Sequence, residues 1–109
     1  MIQCILEIDK QKRYLKELIV KGHSNFSVKG SDIVCSGVST LVYTIIELII
    51  PIKGVKTAFK DIGDLLFNLK VEDDRCIIEI KYYTNYLITG LKLIEDKYKD
   101  YLKLTIKGV

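Results

Sequence analysis

Few groups in this chain can do covalent chemistry near neutral pH: one histidine, His23, and three cysteines, Cys4, Cys35 and Cys76. An odd number of cysteines with no framework spacing reads as reduced thiols, not as a disulfide scaffold. Cys4 and Cys76 fall on inward positions of predicted strands, where a thiol serves as a small hydrophobe. Cys35 is placed differently. It stands in the predicted first turn of a long apolar helix, three residues after Asp32 and four after Ser31. Unpaired backbone amides and the positive end of the helix dipole meet a residue there, and both favour thiolate over thiol. His23 ends a predicted strand, and a single loop joins it to that helix, so the imidazole can reach the sulfur as a Cys–His nucleophile requires. The same two residues also read as a core thiol and a surface imidazole, and spacing alone leaves both readings open. One histidine and one nearby cysteine fall short of the three or four ligands zinc takes. Gly30-Ser31-Asp32-Ile33-Val34-Cys35 opens a helix without the spacing of either nucleotide-binding glycine motif. No metal and no cofactor are expected.

The elements that must hold these residues follow from periodicity. Ile2, Cys4, Leu6 and Ile8 alternate with polar neighbours as a strand does, and residues 14–21 supply a second strand, so the two form a hairpin. Its basic tip (Lys10, Lys12, Arg13) reads as a solvated turn. Residues 22–31 form a polar loop with Gly22 and Gly30 near its ends, and Ser31 and Asp32 are good N-caps just ahead of the helix. Residues 33–52 carry one formal charge, Glu47, which is long enough to suggest a membrane span. The polar stripe Ser36, Thr40, Thr44 and Glu47, with Pro51 beyond it, predicts instead an amphipathic helix lying on a sheet. Residues 53–63 read as irregular. Phe67, Leu69 and Val71 predict one strand and Cys76, Ile78, Ile80 and Tyr82 another, joined by a turn at Asp73-Asp74. Thr84 is then the cap of a second helix with an apolar face of Leu87, Leu91, Ile94 and Tyr98, and Leu102, Leu104 and Ile106 form a last strand. The expected fold is α+β: a two-layer domain of order ββαββαβ, two helices on an antiparallel or mixed sheet.

Composition narrows the class. The chain has 109 residues, 49% hydrophobic and 28% charged, with one proline, which predicts a single domain over 1–109. A net charge of +3 is too mild to indicate nucleic-acid binding, and the basic residues form neither a continuous stripe nor a stacking motif. Met1-Ile2-Gln3-Cys4 shows no basic n-region, so no secretory signal is expected and the location reads as cytoplasmic. The apolar load, with a mean hydropathy of +0.19, suggests a homodimer.

Gly22-His23-Ser24, Gly30, Asp32-Ile33-Val34-Cys35 and Val38-Ser39 together resemble the signature of the bacterial ribosomal-processing cysteine protease family, Prp. That family shows Gly-His-Ala, a short loop, Gly-x-Asp-Ile-Val-Cys and a following Val-Ser, with the same His-to-Cys interval of twelve. Tyr98-Lys99-Asp100-Tyr101-Leu102 resembles the family's approach to its last strand. Departures are modest: Ser24 stands where alanine is usual, Ser36-Gly37 replaces a pair of small residues, and Lys99 replaces a frequent proline. The resemblance implies a cytoplasmic endopeptidase, commonly a homodimer, that removes an N-terminal extension from large-subunit ribosomal protein twenty-seven. It also implies Cys35 as nucleophile and His23 as general base. Its partners would be that ribosomal protein substrate and a second copy of the chain, with no nucleic acid and no membrane.

The bottom-up chemistry agrees with that assignment. Thiolate attacks the scissile carbonyl, His23 protonates the departing amine, and water hydrolyses the thioester with His23 as base. Asp32 either orients His23 or caps the helix that carries Cys35. Ser39, one turn beyond Cys35, reads as packing because a serine cannot act as a base. The loop between Gly22 and Gly30 is expected to move and to order around an extended peptide, with Phe26 near the substrate. Two other classes compete with the protease: a non-catalytic ribosome-associated binding module, and a thiol redox sensor, which lacks an evident resolving cysteine.

Overall fold

The computed structural model describes residues 1–22 and 31–109, with the side chains of residues 31 and 32 outside the described set. The expected alternation gives strand β1 (Ile2–Ile8) and its antiparallel partner β2 (Leu15–Lys21). The connection between them is closed by Asp9, whose carboxylate accepts the Gln11 and Lys12 amides at 3.1 and 2.7 Å. Helix α1 (Ser31–Ile49) follows, then β3 (Val55–Ile62), β4 (Asp64–Val71), a 3₁₀ turn (Asp74–Cys76), α2 (Ile77–Lys97) and β5 (Leu102–Gly108). The sheet is mixed, in the order β3-β4-β2-β1-β5, with β5 parallel to β1 and the other pairs antiparallel. By these pairings β4 and β5 run the same way, so their connection must cross back, and α2 makes that crossing.

Register explains the core. Leu6, Leu18, Phe67 and Phe59 stand in one row across four strands, and Cys4, Val20, Leu65 and Asp61 stand in the next. Both rows face the helix layer, where Val34, Val38, Val42, Ile45, Ile46 and Ile49 of α1 meet Ile80, Leu87 and Leu91 of α2 in the buried core. The helices are antiparallel neighbours: Gly37 lies against Ile94, and Gly90 against Leu41. A methyl group at position 90 would come within 2.5 Å of the Leu41 side chain, so glycine there lets the helices close on each other. Among the described residues no helix is long and apolar enough to cross a membrane.

The ββαββαβ order and the α+β class hold, but the middle of the chain reaches them differently. The segment expected to be irregular contains β3, which lies at a sheet edge, where Lys56, Lys60 and Asp61 are tolerated and blunt the apolar pattern. The second hairpin is therefore β3–β4, turning at Gly63, and not a pair across Asp73-Asp74. Asp73 instead caps the helical turn that opens α2, accepting the Arg75 amide at 2.9 Å and pairing with its guanidinium at 2.7 Å. The strand expected over Cys76, Ile78, Ile80 and Tyr82 is the opening of α2: Ile78 and Tyr82 are exposed, and Cys76, Ile80, Thr84, Leu87 and Leu91 are buried at helical spacings of four, four, three and four. Thr84 caps nothing. It is fully buried in mid-helix, donating to the Ile80 carbonyl at 2.7 Å and accepting the Leu15 amide at 2.9 Å. Ser31 and Asp32 lie inside α1 and not ahead of it.

Candidate active site

Of the predicted pair, Cys35 lies near the start of α1, while His23 follows β2 in the sequence and lies outside the described residues. Gly22 has φ +79°, a left-handed backbone that side-chain-bearing residues avoid, and a Cβ there would sit 2.7 Å from the Met1 carbonyl oxygen. Glycine is therefore required by the backbone immediately before His23. His23, the loop to Gly30 and Phe26 lie outside the described residues, as does the side chain of Asp32, so the expected contacts among them do too.

Cys35 is half-buried at the edge of the core, the fifth residue of α1 rather than a member of its first turn. A helical side chain leans toward the N-terminus, which tilts the cysteine toward the opening turn of α1. Cys35, Ser39 and Tyr43, four residues apart, are all half-buried along one flank of the helix. Gly37 and Leu41 mark the opposite flank by their contacts with α2. Tyr43 marks its own: its ring meets Phe59 of β3 edge-on at 6.0 Å, and its hydroxyl donates to the Asp61 carboxylate. The reactive-thiol candidate accordingly lies on the side of α1 that faces the β3–β4 hairpin. Ser36, Thr40, Thr44 and Glu47 turn to solvent as expected.

The other two thiols are unsuited to attack. Burial pushes Cys4 up to about 12, with the Glu95 carboxylate adding to the effect. Burial also raises Cys76, helped by Asp73, Asp74 and Glu79, and its thiol donates to the Gly54 carbonyl at 3.5 Å. Cys76 stands at the helical turn before α2 and not on a strand, yet it is buried all the same. A groove of about 700 Å³, lined by Pro51, Lys53, Arg75 and Tyr83 among others, lies at the far end of α1 and is not lined by Cys35. Sequence reasoning did not single out Tyr43, Phe59 or Asp61. The i+8 spacing of Tyr43 from Cys35 was the available signal, but the β3 residues were hidden by reading their segment as irregular.

The chain is 28% identical over 109 residues to the ribosomal processing cysteine protease Prp of Bacillus subtilis (strain 168), covering 96% of each. Its fold is similar to that of the S. aureus ribosomal processing protease Prp solved with a substrate peptide (TM-score 0.81, 20% identity, 98% of this chain and 100% of that one). It is also similar to that of a Streptococcus mutans protein (TM-score 0.83, 18% identity, 100% and 96%). The family described as cysteine protease Prp matches residues 1–103, nearly the whole length over which the sheet, both helices and Cys35 are laid out, and the chain belongs to that family of cysteine proteases.

Proposed function

We propose that this chain is a ribosomal-processing endopeptidase that removes an N-terminal extension from large-subunit ribosomal protein twenty-seven, with Cys35 as nucleophile and His23 as general base. The observation that carries the reading is a half-buried cysteine, Cys35, near the start of α1 in a chain of a cysteine-protease family. The substrate class rests on relatives named as ribosomal processing proteases, one of them solved with a substrate peptide. Thiolate attack gives a tetrahedral oxyanion, which backbone amides at the N-terminal end of α1 would stabilise. His23 donates a proton to the leaving amine, and water activated by His23 then releases the thioester. No step needs a metal or a cofactor. The enzyme acts in the cytoplasm as a homodimer.

Cys35→Ala should abolish cleavage of a peptide spanning the processing site and leave the fold intact, since alanine suits a helix. Iodoacetamide should label Cys35 rapidly near neutral pH in the native protein, and His23→Ala should slow that labelling. Turnover by Cys35→Ala refutes the nucleophile. A ribosomal protein twenty-seven with no extension in the same genome refutes the substrate. Light scattering that returns 12.5 kDa at micromolar concentration refutes the homodimer.

A further inference from the structure

Phe59 is an aromatic ring on an edge strand that remains 40% exposed although its row runs inward to Phe67, Leu18 and Leu6. It is held on two sides, by Phe67 at 6.4 Å and by Tyr43 at 6.0 Å, both edge-on. Tyr43 is itself fixed through its hydroxyl by Asp61, two residues further along β3 on the same face. A rigid, partly open pair of rings with fixed orientation suits a large apolar side chain, because little freedom is lost on contact. The pair lies on the Cys35 flank of α1, eight residues beyond the thiol. At 1.5 Å per helical residue the separation along the axis is about 12 Å. An extended peptide advances about 3.3 Å per residue, so it covers that distance in three to four residues.

We infer that the α1 flank from Cys35 to Tyr43 is the bed of the substrate peptide, and that Tyr43 and Phe59 receive a large apolar or aromatic side chain three to four residues from the scissile bond. The inference rests on Cys35 being the nucleophile. Asp61 is a positioning residue: it fixes the Tyr43 ring and does not touch the peptide. Selectivity for one apolar side chain at that distance would let the enzyme choose its cleavage point by a residue remote from the reacting bond.

The test uses the full chain and a mixture of random decapeptides, with the cleavage products sequenced by mass spectrometry. Wild type should enrich large apolar residues at the third or fourth position from the cut. Phe59→Ala should lose that enrichment and keep the others, and on one selected peptide it should raise KM about tenfold with kcat within about twofold. Phe59→Leu keeps the apolar cover over Phe67 and should shift the preference from aromatic to aliphatic, which guards against misfolding as the explanation. Ile62→Ser alters a side chain that is 91% exposed and points to the other face of the hairpin by strand alternation, and it should behave as wild type. Unchanged preferences in both Phe59 variants overturn the inference, as does an equal effect of Ile62→Ser. Iodoacetamide labelling of Cys35 should be the same in all variants. If Cys35→Ala still cleaves the mixture, the nucleophile assignment fails on its own, whatever the Phe59 variants show. Absence of any cleavage by wild type refutes both.

Discussion

Replacing Gly22 with alanine probes how the end of β2 is aimed into the segment that carries His23. Two costs add in the folded state. A left-handed backbone at φ +79° costs an alanine about 1–2 kcal/mol. The new Cβ would stand 2.7 Å from the Met1 carbonyl oxygen, a backbone atom held in place because the next residue, Ile2, donates to Tyr101 at 2.8 Å. Relieving that contact means shifting the start of β1, an overpacking cost of about 1–2 kcal/mol. The sum is about 2–4 kcal/mol, which for a domain of this size lowers Tm by about 10–15 °C. Gly63→Ala is the matched control: φ there is +77°, yet nothing lies within 4 Å of its Cβ, so it bears the backbone cost alone. Thermal unfolding followed by far-UV circular dichroism should therefore place Gly22→Ala below Gly63→Ala, and peptide cleavage should fall only in Gly22→Ala. Equal melting points for the two variants would refute the argument that the Met1 contact makes glycine obligatory before His23.

Thr84→Val should cost about 1–3 kcal/mol by urea denaturation, because it strips the acceptor from the buried Leu15 amide; a change within experimental error would show that amide finds another partner. Folded Cys4 keeps its proton until about 12, whereas the unfolded thiol releases it near 9.0, so stability falls as pH rises between those values, by at most about 1.4 kcal/mol per pH unit. Urea midpoints at pH 8 and 10.5 should therefore drop more in wild type than in Cys4→Ala, and parallel curves would contradict the assignment. The Arg75 side chain and then its amide hold the Asp73 carboxyl below the usual range, so its contribution is complete above about pH 4 and disappears as pH falls through the lowered value. Asp73→Ala should consequently melt below wild type at pH 7 and converge with it in strong acid, and a gap that persists there would assign the effect to something other than charge.

The parts of this fold that could be read in the sequence are those where one face is buried and the pattern is long. β1, β2, the body of α1 and β5 all lie where inward and outward positions differ sharply. The reading failed where context decides. β3 lies at the sheet edge with little of it buried, so its sequence carries charges a central strand would exclude. The opening of α2 shows four alternating apolar residues that suit a strand as well as a helix, and only the continuation through Thr84 to Leu91 separates the two. Reading Thr84 as a cap cut that continuation short. Cys35 could be singled out as a candidate because a thiol near a helix start is chemically distinctive, and a helix beginning at Ser31 still leaves it near that start. The ring pair beside it could not be found without β3, since its members are sixteen residues apart and meet only through tertiary packing.

The pairing of β1 with β5 has a consequence for how the molecule assembles. Ile2 is matched to Leu102, one hundred positions later, and every rung of that ladder spans a comparable distance. β1 pairs early with β2 through a short hairpin, but its other edge has no backbone partner until β5 arrives by way of α2. Contacts of such high sequence separation form slowly, because the whole intervening chain must be ordered before they add stability. During that interval the outer edge of β1 is an open template for another chain. Conditions that delay completion of α2 should therefore raise aggregation during refolding more than they lower the stability of the finished domain.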